Sequence, residues 1–177
     1  MRVFWHKGYE GASLTDLTKA MGINRPSLYA AFGDKEALFR KVLDCYETGP
    51  AAYFSEALNQ STARAVVERL LRGAVDVMTA PRNPRGCLLI QGVLTCSEHE
   101  SDLRKDLMGR NAAGEKAVRQ RFERARREAD LPLDSNSTDL ARYVMTVLRG
   151  LAVQAGGGAT RKQLRSVIDT AMRAWPS

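Results

Sequence analysis

Asn24, Arg25 and Ser27 place three hydrogen-bonding side chains within four positions, just ahead of Leu28 and Phe32. A guanidinium fork in such a place matches the O6 and N7 acceptors of guanine, so Arg25 is expected to read a base edge. Asn24 and Ser27 can cap a helix, touch nucleic acid, or do both. Phosphate contacts position a protein on DNA and base-edge contacts give it sequence preference, so a reader of DNA needs both kinds of donor.

The elements that must hold these donors lie between Ser13 and Phe32. Ser13 is a good N-cap, and Asp16, three residues on, sits where a carboxylate suits the helix dipole. Leu14, Leu17 and Met21 recur at i, i+3 and i+7 and share one face. Gly22 stops that helix, because glycine tolerates the left-handed conformation after a helix end. Asn24 opens a second helix, with Pro26 near its start, where a missing N–H costs nothing. Leu28 and Phe32 face one side of it. Helix, glycine turn and a second helix with donors at its N-terminal end is the pattern of a helix-turn-helix, whose second helix enters the major groove.

The segments Gly8 to Leu17, Ala20 to Ile23 and Ser27 to Phe39 resemble the TetR/AcrR family of bacterial transcriptional regulators. They run GYEGASLTDL, AMGI and SLYAAFGDKEALF. The resemblance is strong over about the first 46 residues. It implies a DNA-binding domain over 1–46 and a helical ligand-binding and dimerisation domain over 47–177. Position by position, it implies phosphate contacts at Thr15, Tyr29 and Lys35, with Ser13 at the start of the same surface. Tyr29 has packing as its alternative role. Pro26 stands where the family often has a small residue, which leaves it apolar contact, such as to a thymine methyl. The resemblance also implies a longer first helix preceded by a basic arm. Met1 to Lys7 reads as the tail of that helix, so residues upstream of Met1 are expected. Without them the head would have little core of its own.

The 177 residues carry a net charge of +7, which favours a polyanionic partner. No run of 18 apolar residues and no secretory signal is visible. Cys45, Cys87 and Cys96 are odd in number and lack the spacing of a metal site or a disulfide framework, which fits a reducing cytoplasm. An enzyme fares poorly. His6 and His99 are the only histidines, and the consecutive Glu98, His99 and Glu100 cannot share one helix face. No Ser/His/Asp arrangement, phosphate loop or dinucleotide fingerprint occurs. No cofactor or metal is expected.

The chain is expected to be all-α. A fourth helix, capped by Asp34, should run to about Phe54, with Gly49-Pro50 as a point of kink or restart. The domain boundary is expected near Cys45 to Gly49, within a continuous helical connection. Thr62–Thr79 reads as a helix, residues 81–86 as a loop, and Cys87–Thr95 as a short apolar helix. Asp102–Ala129 is long and charged, and its arginines from Arg119 to Arg127 read as a solvated face with i,i+4 pairs. A penultimate helix starts at Ser137 and ends at Gly156-Gly157-Gly158. Thr160 with Gln163 forms a capping box for the last helix.

The last two helices, about 137–156 and 161–175, carry more apolar surface than one partner needs. Two copies would close a four-helix bundle about a two-fold axis, with recognition helices about 34 Å apart on a palindrome; otherwise both helices only close the monomer's core. The resemblance implies that dimer, and a small-molecule pocket among the C-terminal helices. Tyr53, Met78, Cys87, Gln91, Phe122 and Tyr143 are the candidates for its wall, each also readable as ordinary core. Gln91 needs a polar partner within an apolar helix. A redox role for Cys87 or Cys96 competes with that of an inert thiol. The function expected is a dimeric, ligand-released repressor; the alternative is a helical dimer that binds a small ligand but not DNA.

Overall fold

Three aromatic side chains of the first helix decide how the N-terminal part holds together. The computed structural model describes residues 1–96 and 101–176, so the run Glu98-His99-Glu100 lies outside the described residues. Helix α1 spans Arg2–Gly11, and its Phe4, Trp5 and Tyr9 are buried. Phe4 and Tyr9 pack on Phe39, with ring centroids 4.8 and 5.2 Å away, and Trp5 meets Tyr46 edge-on at 4.9 Å. The expectation of a head with little core is therefore corrected: aromatic rings bury a large apolar area per residue, and three suffice to seat the helices that follow.

Helix α2 (Leu14–Met21) is fixed at its start by a reciprocal cap, in which Asp16 N–H donates to Ser13 Oγ and Ser13 N–H donates to the Asp16 carboxylate. Gly22 ends it at φ 68°, a left-handed conformation that glycine adopts without a Cβ clash. Helix α3 (Arg25–Phe32) is capped by Asn24, whose Oδ1 accepts from Ser27 N–H at 2.8 Å. Helix α4 (Lys35–Thr48) is capped by Asp34 and buries Leu38, Phe39, Val42, Leu43 and Tyr46.

The fourth helix is shorter than expected. It stops at Thr48, and a separate helix α5 (Tyr53–Leu58) begins after a turn. Pro50 has no N–H to continue the ladder, and Gly49 adopts a non-helical conformation, so the restart wins over the kink. Helices α6 (Ala63–Met78), α7 (Leu88–Thr95), α8 (Ser101–Arg127), α9 (Ser137–Gly156) and α10 (Arg161–Arg173) follow, with no strand among the described residues. Helix α9 packs on α8 and α6, and α10 on α6 and α9. The capping box of Thr160 and Gln163 opens α10. None of these helices is long and apolar enough to cross a membrane.

The arginine-rich end of α8 is only partly a solvated face. Arg119–Glu123 and Arg124–Glu128 form the expected i,i+4 pairs. Arg121 departs from that reading. It is buried beside Val118 and Phe122, and its Nη2 donates to the carbonyls of Gln60 and Ser61. Those carbonyls follow the end of α5, where no helical N–H is available to them.

The head meets the rest of the chain mainly where α1 lies against α7, and less extensively where α4 does. At this junction α1 breaks at Gly8 (φ 71°, ψ −180°), a conformation essentially reserved for glycine. A Cβ there would come within 2.7 Å of Thr95 Oγ1. Gly8→Ala is expected to cost about 1–3 kcal/mol, and so to lower the melting temperature by roughly 2–12 °C in a thermal scan by circular dichroism. An unchanged melting temperature would mean that the break in α1 carries no strain for a side chain.

Candidate DNA-reading surface and ligand cavity

Helix α3 has eight residues and buries one of them, Leu28. A globular helix usually buries a stripe about three residues wide per two turns. Phe32 is half-buried against the core, whereas Arg25, Pro26, Ser27 and Tyr29 are exposed, and Asn24, Thr15 and Ser13 are exposed beside them. Tyr29 is 45% exposed, so its ring does not serve as core. The eight positions picked from the sequence therefore fall on one continuous part of the head, from the start of α2 to the start of α4.

Two of those side chains also hold the head together. Arg25 Nη2 donates to Thr15 Oγ1 at 3.0 Å and ties the start of α3 to the start of α2. Lys35 is half-buried, lies 4.4 Å from the centroid of the Tyr9 ring, and donates to the Glu10 carbonyl. Lys7 adds a salt bridge of 2.7 Å to Asp16. The hydrogen bonds to Lys7 and Ser13 hold the Asp16 carboxyl down at about 2.

The second site is a cavity of about 340 Å³ between α4, α5, α6, α7, α8 and α9. Tyr53, Met78 and Cys87 come together in its wall, as do Tyr46, Glu47, Arg110 and Arg149, which sequence reasoning did not single out as ligand contacts. No local pattern marks Tyr46 or Arg110 as a ligand contact: one sits among the apolar residues of α4 and the other among the many charges of α8. Tyr46 Oη donates to Cys87 Sγ at 3.5 Å, and burial followed by the neighbouring Cys87 pushes the phenol well above its ordinary value. Arg110 bridges α8 to the end of α4, with Asp44 at 2.7 Å and Glu47 at 2.8 Å. Burial pushes the Glu47 carboxyl up, against the pull of Arg110.

The other three candidates lie elsewhere. Phe122 is core, with its ring 5.2 Å from Trp175. Gln91 faces a cleft between α1 and the 82–85 loop, near Gly86 and Gly156. Tyr143 is 41% exposed on α9. Tyr143 lies on a face of α9 turned away from the cavity, whereas Phe122 lies two turns beyond Gly114 along α8.

The family described as bacterial regulatory proteins, tetR family, matches residues 1–42. The HTH-type transcriptional repressor ComR of Escherichia coli (strain K12) is 31% identical, over 99% of this chain and 85% of that protein. The HTH-type transcriptional repressor BdcR of the same strain is 28% identical, over 92% of this chain and 78% of that protein. Among solved structures, a cysteine mutant of the TetR family transcriptional regulator CifR, complexed with a 26 bp double-strand operator DNA, has a TM-score of 0.94 at 41% identity. The likeness covers 99% of this chain and 92% of that one.

The depressed Asp16 carboxyl fixes the sign of a pH effect. Its folded value lies below the unfolded one, so its stabilisation is complete above the ordinary carboxylate range and is lost as pH falls towards about 2. Thermal unfolding followed from roughly pH 5 to 2 should show a steeper loss for the wild type than for Asp16→Asn. Parallel curves would mean that the cap and the Lys7 pair do not stabilise the head.

Proposed function

Because this chain belongs to the TetR family of bacterial regulatory proteins, we propose that it is a dimeric transcriptional repressor that reads a palindromic operator in the cytoplasm and is released by a small molecule. The observation that carries the reading is α3, a helix with a single buried residue that presents Arg25, Ser27 and Tyr29 outward. Residues 1–46 act as the DNA-reading part and 47–177 as the ligand and dimer part. Arg25 reads a base edge, and in free protein its Thr15 bond holds the guanidinium ready. Ser13, Thr15, Tyr29 and Lys35 contact phosphates. Asn24 and Ser27 use their cap to orient the first turn towards the groove, and Pro26 supplies apolar contact.

The dimer forms through α9 and α10. Val153 is 54% exposed and Val167 48% exposed, with Leu151 and Leu164 beneath them. That is more apolar surface than a free helix pair leaves in water, and a two-fold axis covers it with the same surface of a second copy. The effector occupies the cavity walled by Tyr53, Met78 and Cys87. Tyr46 and Glu47 of α4 belong to the same wall, and α4 begins beside α3, so a bound molecule that favours one position of α4 shifts the population of DNA-competent heads.

The testing experiment is a mobility shift of the purified protein on the DNA upstream of its own gene, against competitor. Specific, saturable binding by a dimer is the expected result. Absence of specific binding would turn the reading into a helical ligand-binding dimer. Arg25→Ala should cost about 1–3 kcal/mol on the specific site and relax preference at one base pair; equal weakening on all sequences would make Arg25 a phosphate contact. Val153→Glu should give a monomer by light scattering with weakened operator binding, and a dimer that persists would remove α9 from the interface.

A further inference from the structure

We infer that the effector is a small uncharged molecule with an apolar body and one hydrogen-bond-accepting oxygen, held by the hydroxyl of Tyr53. The inference rests on reading the cavity as the effector site. It comes from following each polar group in the wall to its partner. Arg110 spends its Nε on Asp106, its Nη1 on Glu47 and its Nη2 on Asp44, so three carboxylates already surround its one charge. Arg149 pairs with Glu115 at 3.2 Å. Tyr46 Oη donates to Cys87 Sγ, Ser55 Oγ donates to the Ala52 carbonyl, and Asn111 Nδ2 donates to the Leu107 carbonyl.

Tyr53 is different. It is 8% exposed, it forms part of the wall, and its hydroxyl has no hydrogen-bond partner among the described residues. Its oxygen is not among the enclosed side-chain atoms that lack a partner, so the hydroxyl opens onto accessible space, where an acceptor on a bound molecule can accept its hydrogen bond. Burial pushes this phenol far above its ordinary value, so it stays protonated and available as a donor. An anionic ligand would find both arginines already paired and three carboxylates beside Arg110, and a ligand of either charge would have to leave water for a cavity walled by Met78, Leu148 and Ala152. The occupied arginines and the apolar wall therefore select a neutral ligand, and the phenol of Tyr53 selects an acceptor on it.

The test uses four similarly sized probes on the intact protein by isothermal titration: acetophenone, ethylbenzene, benzoate and benzylammonium. Acetophenone should bind, with benzoate and benzylammonium at least about tenfold weaker. Tyr53→Phe should weaken acetophenone by roughly three- to tenfold while leaving ethylbenzene within about twofold, because only the former loses a neutral hydrogen bond. Tighter binding of either charged probe, or failure of all four to bind, would overturn the ligand class. Equal affinity of Tyr53→Phe and wild type for acetophenone would overturn the role of Tyr53. The promoter mobility shift separates this from the parent reading. A protein that shifts its promoter but binds no probe remains a regulator with a different ligand, and one that binds acetophenone but shifts no DNA keeps the ligand class and loses the operator.

Discussion

The structure depends on one aromatic junction, where Trp5 of α1 meets Tyr46 of α4. The rings lie 4.9 Å apart edge-on, a geometry in which the positive edge of one faces the negative face of the other. Both residues have a second attachment, in the stretch just ahead of α7. The Trp5 indole donates to the Gly86 carbonyl at 3.1 Å, and the Tyr46 hydroxyl donates to Cys87. Gly86 and Cys87 are consecutive, so one short stretch ahead of α7 takes the load from both helices of the head. A close-packed contact of this kind transmits displacement, because packed interiors have few alternative arrangements.

That stretch is itself anchored. Arg85 donates through Nε to the Ala155 carbonyl at 3.0 Å, and through Nη2 to the Ala159 carbonyl. Ala155 lies in the last turn of α9, where its carbonyl also accepts from the Gly158 N–H at 3.1 Å. A guanidinium suits that position twice, as a donor and as a cation at the negative end of the helix. The head is thus linked through residues 85–87 to the end of the helix that carries the exposed valine of the dimer face. On the other side of the cavity, Arg110 fastens α8 to the end of α4. Four further ion pairs hold α6 to α5 or α10, through Arg69, Arg72, Arg161 and Arg165. These are half-exposed and individually weak. The pairs at Arg110, which is 20% exposed, are better shielded from water and contribute more.

Much of this was legible in the linear chain. The caps at Ser13, Asn24, Asp34 and Thr160 are local, each set by a side chain and an N–H three residues apart, and every one forms where the residue types indicated, while Thr62 adds a cap of the same kind that only the structure shows. The same locality made the glycine turn at Gly22 and the exposed α3 readable. Helix four misled because Gly49-Pro50 signals an interruption without saying whether the chain bends or restarts. Arg121 misled because its charge suggested water, whereas its position between Val118 and Phe122 carried it inward to two free carbonyls.

The sequence by itself determined the class of structure and the exposed face of α3, because capping, glycine turns and amphipathic periods act over three or four residues. Tertiary structure alone decided which side chains share the cavity. Tyr46, Tyr53, Cys87 and Arg110 come from four different helices or their ends, and which face each helix turns inward depends on partners far along the chain. Gln91, Phe122 and Tyr143 are not distinguished from Met78 by any local pattern, and only the placement of each helix, its rotation and how far along it the residue lies, separates them from it. The free hydroxyl of Tyr53 is of the same kind. Whether a buried donor has found a partner is a property of the neighbours that folding supplies, and no local pattern encodes it.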